Sequence, residues 1–243
     1  MVAASAALLS ARRGPVLLVD LAGGDQARIL GVDPSGPGLA RWLLHPNPPP
    51  DSLARLELAI ADGVALLPFR GSGEHAAGSA ATDGGPADLD ERLRLLAHLL
   101  VADERQVVVD LGLPERLVSG GAAVELESGC GSPSTFPGIA GVAERSTLVT
   151  RLCYLALARA MERPVPDDLI VVVEPDRALG VADVKAALRV PVATVRWDPA
   201  VARAVDAGLL TRRLPRALHR IPLVMPGGAS DAPMAARSGG ELR

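Results

Sequence analysis

Apolar residues along this chain fall into two rhythms. Three short runs, PVLLVD (15–20), GVALLPF (63–69) and QVVVDLGLP (106–114), lack the polar alternation of a half-solvated strand. They predict strands buried on both faces. Between them lie stretches with a helical period. Residues 2–13 are Ala-rich and close on Arg12, Arg13 and Gly14, which predicts a helix with a basic last turn and a glycine stop. DQARILGV and GLARWLLH predict two short helices. Residues 88–103 predict an amphipathic helix with Leu89, Leu93, Leu96, Leu99 and Leu100 on one face. From Ser146 onward the alternation becomes regular, with strands near 146–150, 169–173 and 192–196 and helices near 153–162, 181–189 and 199–207. Alternation of this kind predicts an α/β domain whose mostly parallel sheet carries helices on both faces.

Breaks in the pattern set the domain limits. PNPPP (46–50) predicts a surface loop, and the low-complexity stretch 71–87 a mobile linker. Residues 119–138, rich in Gly and Ser, read as an irregular insertion, and 227–243 as a disordered tail. One domain over 1–226 is therefore expected. The segment LLTRRLPRALHRIPLVM (209–225) mixes basic and apolar residues, but Pro215 and Pro222 cut it too short for a membrane-surface helix. It predicts a final helix packed on the sheet.

Composition narrows the function classes. Hydrophobic residues make up 49% of the chain and aromatic residues 2%, so the core must be built from Ala, Val and Leu. Lys185 is the single lysine among 25 basic residues, a bias that with the Ala, Gly and Pro richness suits a GC-rich genome. A net charge of −3 gives no pull toward nucleic acid, and so few aromatics leave little for base stacking. Cys130 and Cys153 form no CxxC pair, which points to a reducing compartment. The apolar opening, Ala3 to Ser10, is followed and not preceded by Arg12 and Arg13, unlike a signal peptide. No run reaches the roughly 18 apolar residues of a membrane span, so a cytoplasmic protein is expected.

Candidate chemistry concentrates at strand ends. VLLVD ends at Asp20 and VVVD at Asp110. Ligands of open α/β sheets bind at the carboxyl ends of strands, where acidic residues hold Mg²⁺ or orient water. The plainer possibility is that each aspartate caps the turn after its strand. His45, His75, His98 and His219 are scattered without ligand spacing and are expected on the surface. Neither Ser132 nor Ser146 sits in a GxSxG elbow, and Cys153, within an apolar helical stretch, is expected in the core.

In their order and spacing these segments resemble the MinD/ParA group of P-loop ATPases, including its CpaE-like members, over residues 2–214. VAASAALLSARRGPVLLVDLAGGD is similar to that family's first helix and second strand. RQVVVDLGLP resembles its Walker B strand, and ERSTLVTRLCYLALARAM the unit that follows. VPVATVRWDPAVARAVDAGLL resembles the closing segment that borders the adenine pocket. The resemblance implies a nucleotide-switch protein for chromosome, septum or pilus machinery, binding ATP and Mg²⁺ and working through protein partners and a homodimer. It implies catalytic roles for Asp20 and Asp110, a water-mediated Mg²⁺ contact for Asp110, and nucleotide contacts at Asp198 and Pro199.

The chain also departs from that pattern. No GxxxxGK[ST] occurs anywhere, and Lys185 lies in a late helix with no glycine loop before it. SGCGSPST (128–135) lacks the lysine and the strand-to-helix setting. The family's second acid of DxD falls on Ala22 if the strands are aligned, or on Asp20 if the GGD is aligned, and both registers stand. Glu174 occupies a position where the family often has an adenine-binding asparagine. This chain is therefore expected to bind no ATP by itself. Met1 stands where the residue after the family's P-loop threonine would be. Either a start lies further upstream or the protein is a pseudo-ATPase scaffold. In that family the missing strand lies beside the one ending at Asp110, so on the first account an unfilled or distorted slot is expected there, with AAVELES (122–128) the nearby candidate to fill it.

Overall fold

The computed structural model describes residues 1–33, 35–45, 47–70, 86–112 and 137–221. Residues 71–85 of the predicted linker, 119–136 of the predicted insertion with its AAVELES stretch, and all of the predicted tail 227–243 lie outside the described residues, whereas 86–87 and 137–138 open helices.

Helix α1 (Val2–Ser10) leads into strand β1 (Val16–Asp20), whose five residues are all buried. Short helices α2 (Asp25–Ile29) and α3 (Leu39–Leu44) follow, then two single 3-10 turns at Pro50–Ser52 and Ala54–Leu56. Strands β2 (Leu58–Ala61) and β3 (Val64–Leu67) form a hairpin across Asp62 and Gly63. Strand β2 was not predicted, because its side chains alternate half-buried and exposed and only Leu58 and Ile60 look apolar enough. The cue was the Asp-Gly turn after it, where Gly63 takes a positive φ of 72°. Helix α4 (Pro86–Val101) and strand β4 (Gln106–Asp110) complete the first half. The second half runs α5 (Pro137–Val142), β5 (Thr147–Arg151), α6 (Tyr154–Met161), β6 (Asp168–Val173), α7 (Val181–Leu188), β7 (Val192–Arg196) and α8 (Pro199–Asp206).

The strands form two sheets, ordered β2-β3-β1-β4 and β5-β6-β7. Every pairing is parallel except the β2–β3 hairpin, which agrees with the predicted mostly parallel α/β class. One core runs across both sheets on the α1 face. Ala4, Ala7 and Leu9 of α1 meet Val16 and Leu18 of β1, Ile170 of β6 and Val195 of β7 there. On the opposite face each sheet has its own core. Leu17 and Val19 pack under α3 and α4, while Leu169 and Val171 pack with Leu157 of α6 and Val184 of α7. Arg92 of α4, itself buried, donates through Nη1 to the Leu43 carbonyl at 2.6 Å and ties α4 to the end of α3. The basic segment after α8 ends in a 3-10 turn, Arg216–Arg220, and Leu218 and Ile221 enter the shared core. That segment does pack on the sheet, as a tighter turn than the predicted helix.

Strand β4 is where the unpaired edge is expected, and the candidate filler AAVELES lies outside the described residues. The one hydrogen-bonded neighbour of β4 among the described residues is β1, and all five residues of β4 are half-buried where those of β1 are fully buried. Among the described residues strand β5 is likewise bonded on one side, to β6. In register with buried Ile170, Val149 lies on the same face of the sheet yet remains 43% exposed.

This difference between strands yields a paired prediction. Leu18→Ala empties a site with no solvent exposure and should cost about 2–5 kcal/mol in urea denaturation. Val149→Ala should cost no more than about 0.5 kcal/mol, because its side chain is already in water. Equal costs would mean that β5 is as enclosed as β1.

Candidate functional site at the ends of strands β1 and β4

Strands β1 and β4 pair in a register that sets Asp20 directly opposite Asp110. The Leu21 amide donates to the Asp110 carbonyl at 2.8 Å and carries the pairing one residue further. The two sequence-predicted acids are thus side by side at the carboxyl edge of the sheet. Asp20 is fully buried, and Asp110 is half-buried.

Both side chains hold the loops that follow them. Asp20 accepts from the Ala22 amide at 2.9 Å through one oxygen and from the Gln26 amide at 3.1 Å through the other. Asp110 accepts from the Gly112 amide at 2.9 Å through Oδ1. The turn-capping role weighed from the sequence is therefore present at both positions. Gln26, 2% exposed, joins the acids by donating from Nε2 to Asp110 Oδ2. Its other amide atom, Oε1, is buried without a partner among the described residues.

The loops close tightly because glycines permit it. Gly24 has a φ of 93°, and a Cβ there would lie 2.4 Å from the Phe69 carbonyl oxygen. Gly112 has a φ of 62°, and a Cβ there would lie 2.7 Å from the Ala22 side chain. Gly112 brings the loop after β4 against Ala22, Gly24 brings the loop after β1 against Phe69 beyond β3, and Gln26 at the start of α2 lies against Asp110. Sequence reasoning missed Gln26. The available cue was a polar side chain in the first turn of a helix opened by GGD, six residues after a strand-ending acid.

Burial raises the Asp20 carboxyl above its usual range, the backbone hydrogen bonds from Gln26, Ala22 and Gly24 oppose that rise, and the Asp110 charge adds to it. The Met1 α-amino group is buried close by. Its pKa is lowered by burial and supported by the charges of Asp110, Asp20 and Asp25. Neither acid is ion-paired to an arginine or lysine among the described residues.

The other predicted positions lie elsewhere. Asp198 caps α8, accepting from the Ala200 amide at 2.8 Å, and Pro199 is the first residue of that helix. Among the described residues the hydrogen bonds of Asp20, Asp110 and Asp198 run to other partners. Glu174 is ion-paired to Arg151 and Arg177, which occupies both of its oxygens. Lys185 is exposed on α7. Cys153, expected in the core, is instead the half-buried residue preceding α6, and backbone donors at Ala156 and Leu155 lower its thiol pKa. The backbone is still extended at Cys153, just before α6 begins, which leaves it outside the helix's buried face. His45, His98 and His219 are exposed, as expected. His75 and Cys130 lie outside the described residues.

What the site offers is two carboxylates and a carboxamide oxygen, all acceptors. It suits a cation or a hydrogen-bond donor. Among the described residues no arginine or lysine is ion-paired to the acids, so those residues by themselves do not fit a magnesium nucleotide. Among the described residues no cluster of three or more His, Cys, Asp or Glu forms a metal site.

Two outcomes follow. Gly24→Ala forces both a positive φ and a clash with backbone, and should lower stability by about 2 kcal/mol or more in thermal or urea melts. The raised Asp20 pKa means that the folded chain holds this proton more tightly than the unfolded one. Stability from that proton is complete below the unfolded value near 3.8 and is lost as pH rises through the folded pKa. In urea melts from about pH 4 to 7, wild type should lose stability relative to Asp20→Asn. A difference that does not change with pH would show that Asp20 titrates normally.

Comparison with known proteins gives the fold. No family profile and no curated protein matches the chain. Among solved structures it is similar to a ParA family ATPase from Chlorobium tepidum TLS, with 14% identity, a TM-score of 0.62 and 90% of this chain aligned to 88% of that one. It is also similar to the septum site-determining protein MinD complexed with Mg-ADP from Pyrococcus horikoshii OT3, at 15% identity and a TM-score of 0.60 over 90% and 86% of the two chains. The MinC:MinD cell division complex of Aquifex aeolicus gives 14% identity and a TM-score of 0.56 over 90% and 86%. At such identities the likeness speaks for architecture. The α/β fold of this chain, with its mostly parallel strands, is MinD/ParA-like.

Proposed function

We propose that the chain is a MinD/ParA-type switch domain for intracellular positioning or assembly, acting in the cytoplasm through protein partners and a homodimer, and unable by itself to bind or hydrolyse ATP. The observation that carries this reading is the register of Asp20 against Asp110 at the carboxyl edge of a MinD/ParA-like sheet. The sequence contains no GxxxxGK[ST] and only one lysine, on α7, to go with those acids. Among the described residues no helix is long and apolar enough to cross a membrane. In this reading Asp20 and Asp110 keep the positions of the family's catalytic acids, with Asp110 facing Mg²⁺ through water and Asp198 and Pro199 near the base once a phosphate-binding loop is supplied.

A second reading is that of a pseudo-ATPase scaffold, which acts only by binding other proteins. It is favoured by the way the acids are engaged: both oxygens of Asp20 take backbone amides, and Gln26 and Gly112 take those of Asp110.

Calorimetric titration of the 243-residue chain with ATP and Mg²⁺ tests the shared expectation. Without loop amides and a lysine, several charge-assisted bonds of about 1.5–3 kcal/mol each are missing. Binding should be no tighter than about millimolar, with no phosphate release. Micromolar binding would mean that another segment holds the phosphates. To separate the two readings, an extended chain carrying any upstream in-frame residues is titrated the same way. Nucleotide binding regained on extension supports the switch domain, and none supports the scaffold.

A further inference from the structure

A cleft of about 320 Å³ opens at the amino end of the four-stranded sheet, the end of β1 away from Asp20 and Asp110. Three segments wall it, each held by its own backbone. The end of α1 brings Leu8, Ala11 and Arg12, and the Arg13 amide closes that end on the Ser10 carbonyl at 2.9 Å. The β2–β3 hairpin brings Asp62 and Val64, and the Gly63 carbonyl between them accepts from the Val16 amide at 2.8 Å. The third wall is the segment after α8. That helix ends on Gly208, at a φ of 63°, with the Gly208 amide on the Val205 carbonyl and the Leu209 amide on the Ala204 carbonyl. The amides of Arg212 and Arg213 then both return to the Leu209 carbonyl, at 3.0 and 2.9 Å. This turn carries Leu210 inward and sets Thr211 and Arg212 along the cleft.

Floor and rim differ in chemistry. Val64 and Leu210 are buried, and with the half-buried Leu8 and Leu214 they belong to the core shared with α1. Arg12, Asp62 and Arg212 are exposed. Among the described residues neither arginine is in an ion pair, and Asp62 pairs with neither of them. Two guanidinium groups without a counter-ion thus stand over an apolar floor. Small-molecule sites of roughly 300–1,000 Å³ combine these parts, apolar walls for contact and a few polar groups for orientation. The guanidinium fork matches the two oxygens of a carboxylate.

We infer that this cleft binds a small organic acid. The apolar body of the ligand covers Leu8, Val64, Leu210 and Leu214, and its carboxylate lies between Arg12 and Arg212. Asp62 on the same rim disfavours a second negative charge, so a monoanion suits the cleft better than a phosphate. The site lies at the opposite end of the sheet from Asp20 and Asp110, and titration with ATP leaves it untouched.

The probe is 4-phenylbutyrate, titrated into the full chain and followed in amide and methyl NMR spectra. Saturable shifts are expected at the Arg12 and Thr211 amides and the Leu210 methyls, with a Kd below about 1 mM. The neutral isostere 4-phenylbutanamide should bind about tenfold more weakly or worse. Arg12→Gln and Arg212→Gln, both at exposed positions, should each weaken the acid by about fivefold and leave the amide unchanged. Shifts that fail to saturate, or that map away from the three walls, overturn the assignment. Equal affinity for acid and amide, or indifference to both arginine substitutions, does the same. So do nuclear Overhauser contacts in the free chain from the Leu210 and Leu214 methyls to residues after Ile221, because the chain itself then fills the cleft.

Discussion

The structure depends on one shared hydrophobic core, the one that α1 makes across two separately bonded sheets. No hydrogen-bonded pairing joins β2-β3-β1-β4 to β5-β6-β7 among the described residues, so their union rests on non-directional burial. Ala4, Ala7 and Leu9 of α1 supply the common surface, with Leu218 and Ile221 closing it from the far end of the chain. Small alanines let the helix lie close to β1 and β4. A core of this kind tolerates a split sheet because apolar area, unlike a strand ladder, sets no register between the parts it joins.

The same geometry produces the acidic site. Burying β1 on both faces fixes its ladder with β4, and that ladder brings two aspartates 90 residues apart into the same row. Once there, the acids spend their lone pairs on the turns that follow. Asp20 is held by the start of α2, and Asp110 by Gly112 and Gln26. Burial raises the proton affinity of Asp20 because the amides that stabilise its charge do not fully offset its desolvation. Two acids at the end of a parallel sheet are thus structural caps in the chain as it stands. They remain placed for ion or phosphate chemistry if a basic, donor-rich segment joins them.

Much of this was legible in the residues alone. Unbroken apolar runs located β1, β3 and β4, the regular alternation after Ser146 located β5 to α8 within a residue or two, and the ordered motifs pointed to the fold family. Asp20 and Asp110 could be picked out because a strand-ending acid is a local pattern. Three features were not legible for physical reasons. Strand β2 has weak alternation, and its hairpin pairing with β3 decides it. Cys153 looked like core by composition, while its position at a helix start decides its environment. Gln26 became part of the site only through its hydrogen bond to Asp110, a residue distant in the chain.

By itself, then, the sequence determined the class of the elements and their order, because each is written in local pattern or residue type. The tertiary structure alone decided which side chains meet. It set Asp20 against Asp110, placed Gln26 between them, and packed β4 against helices on both faces. Those facts come from strand register and from packing between distant segments, neither of which a local pattern encodes.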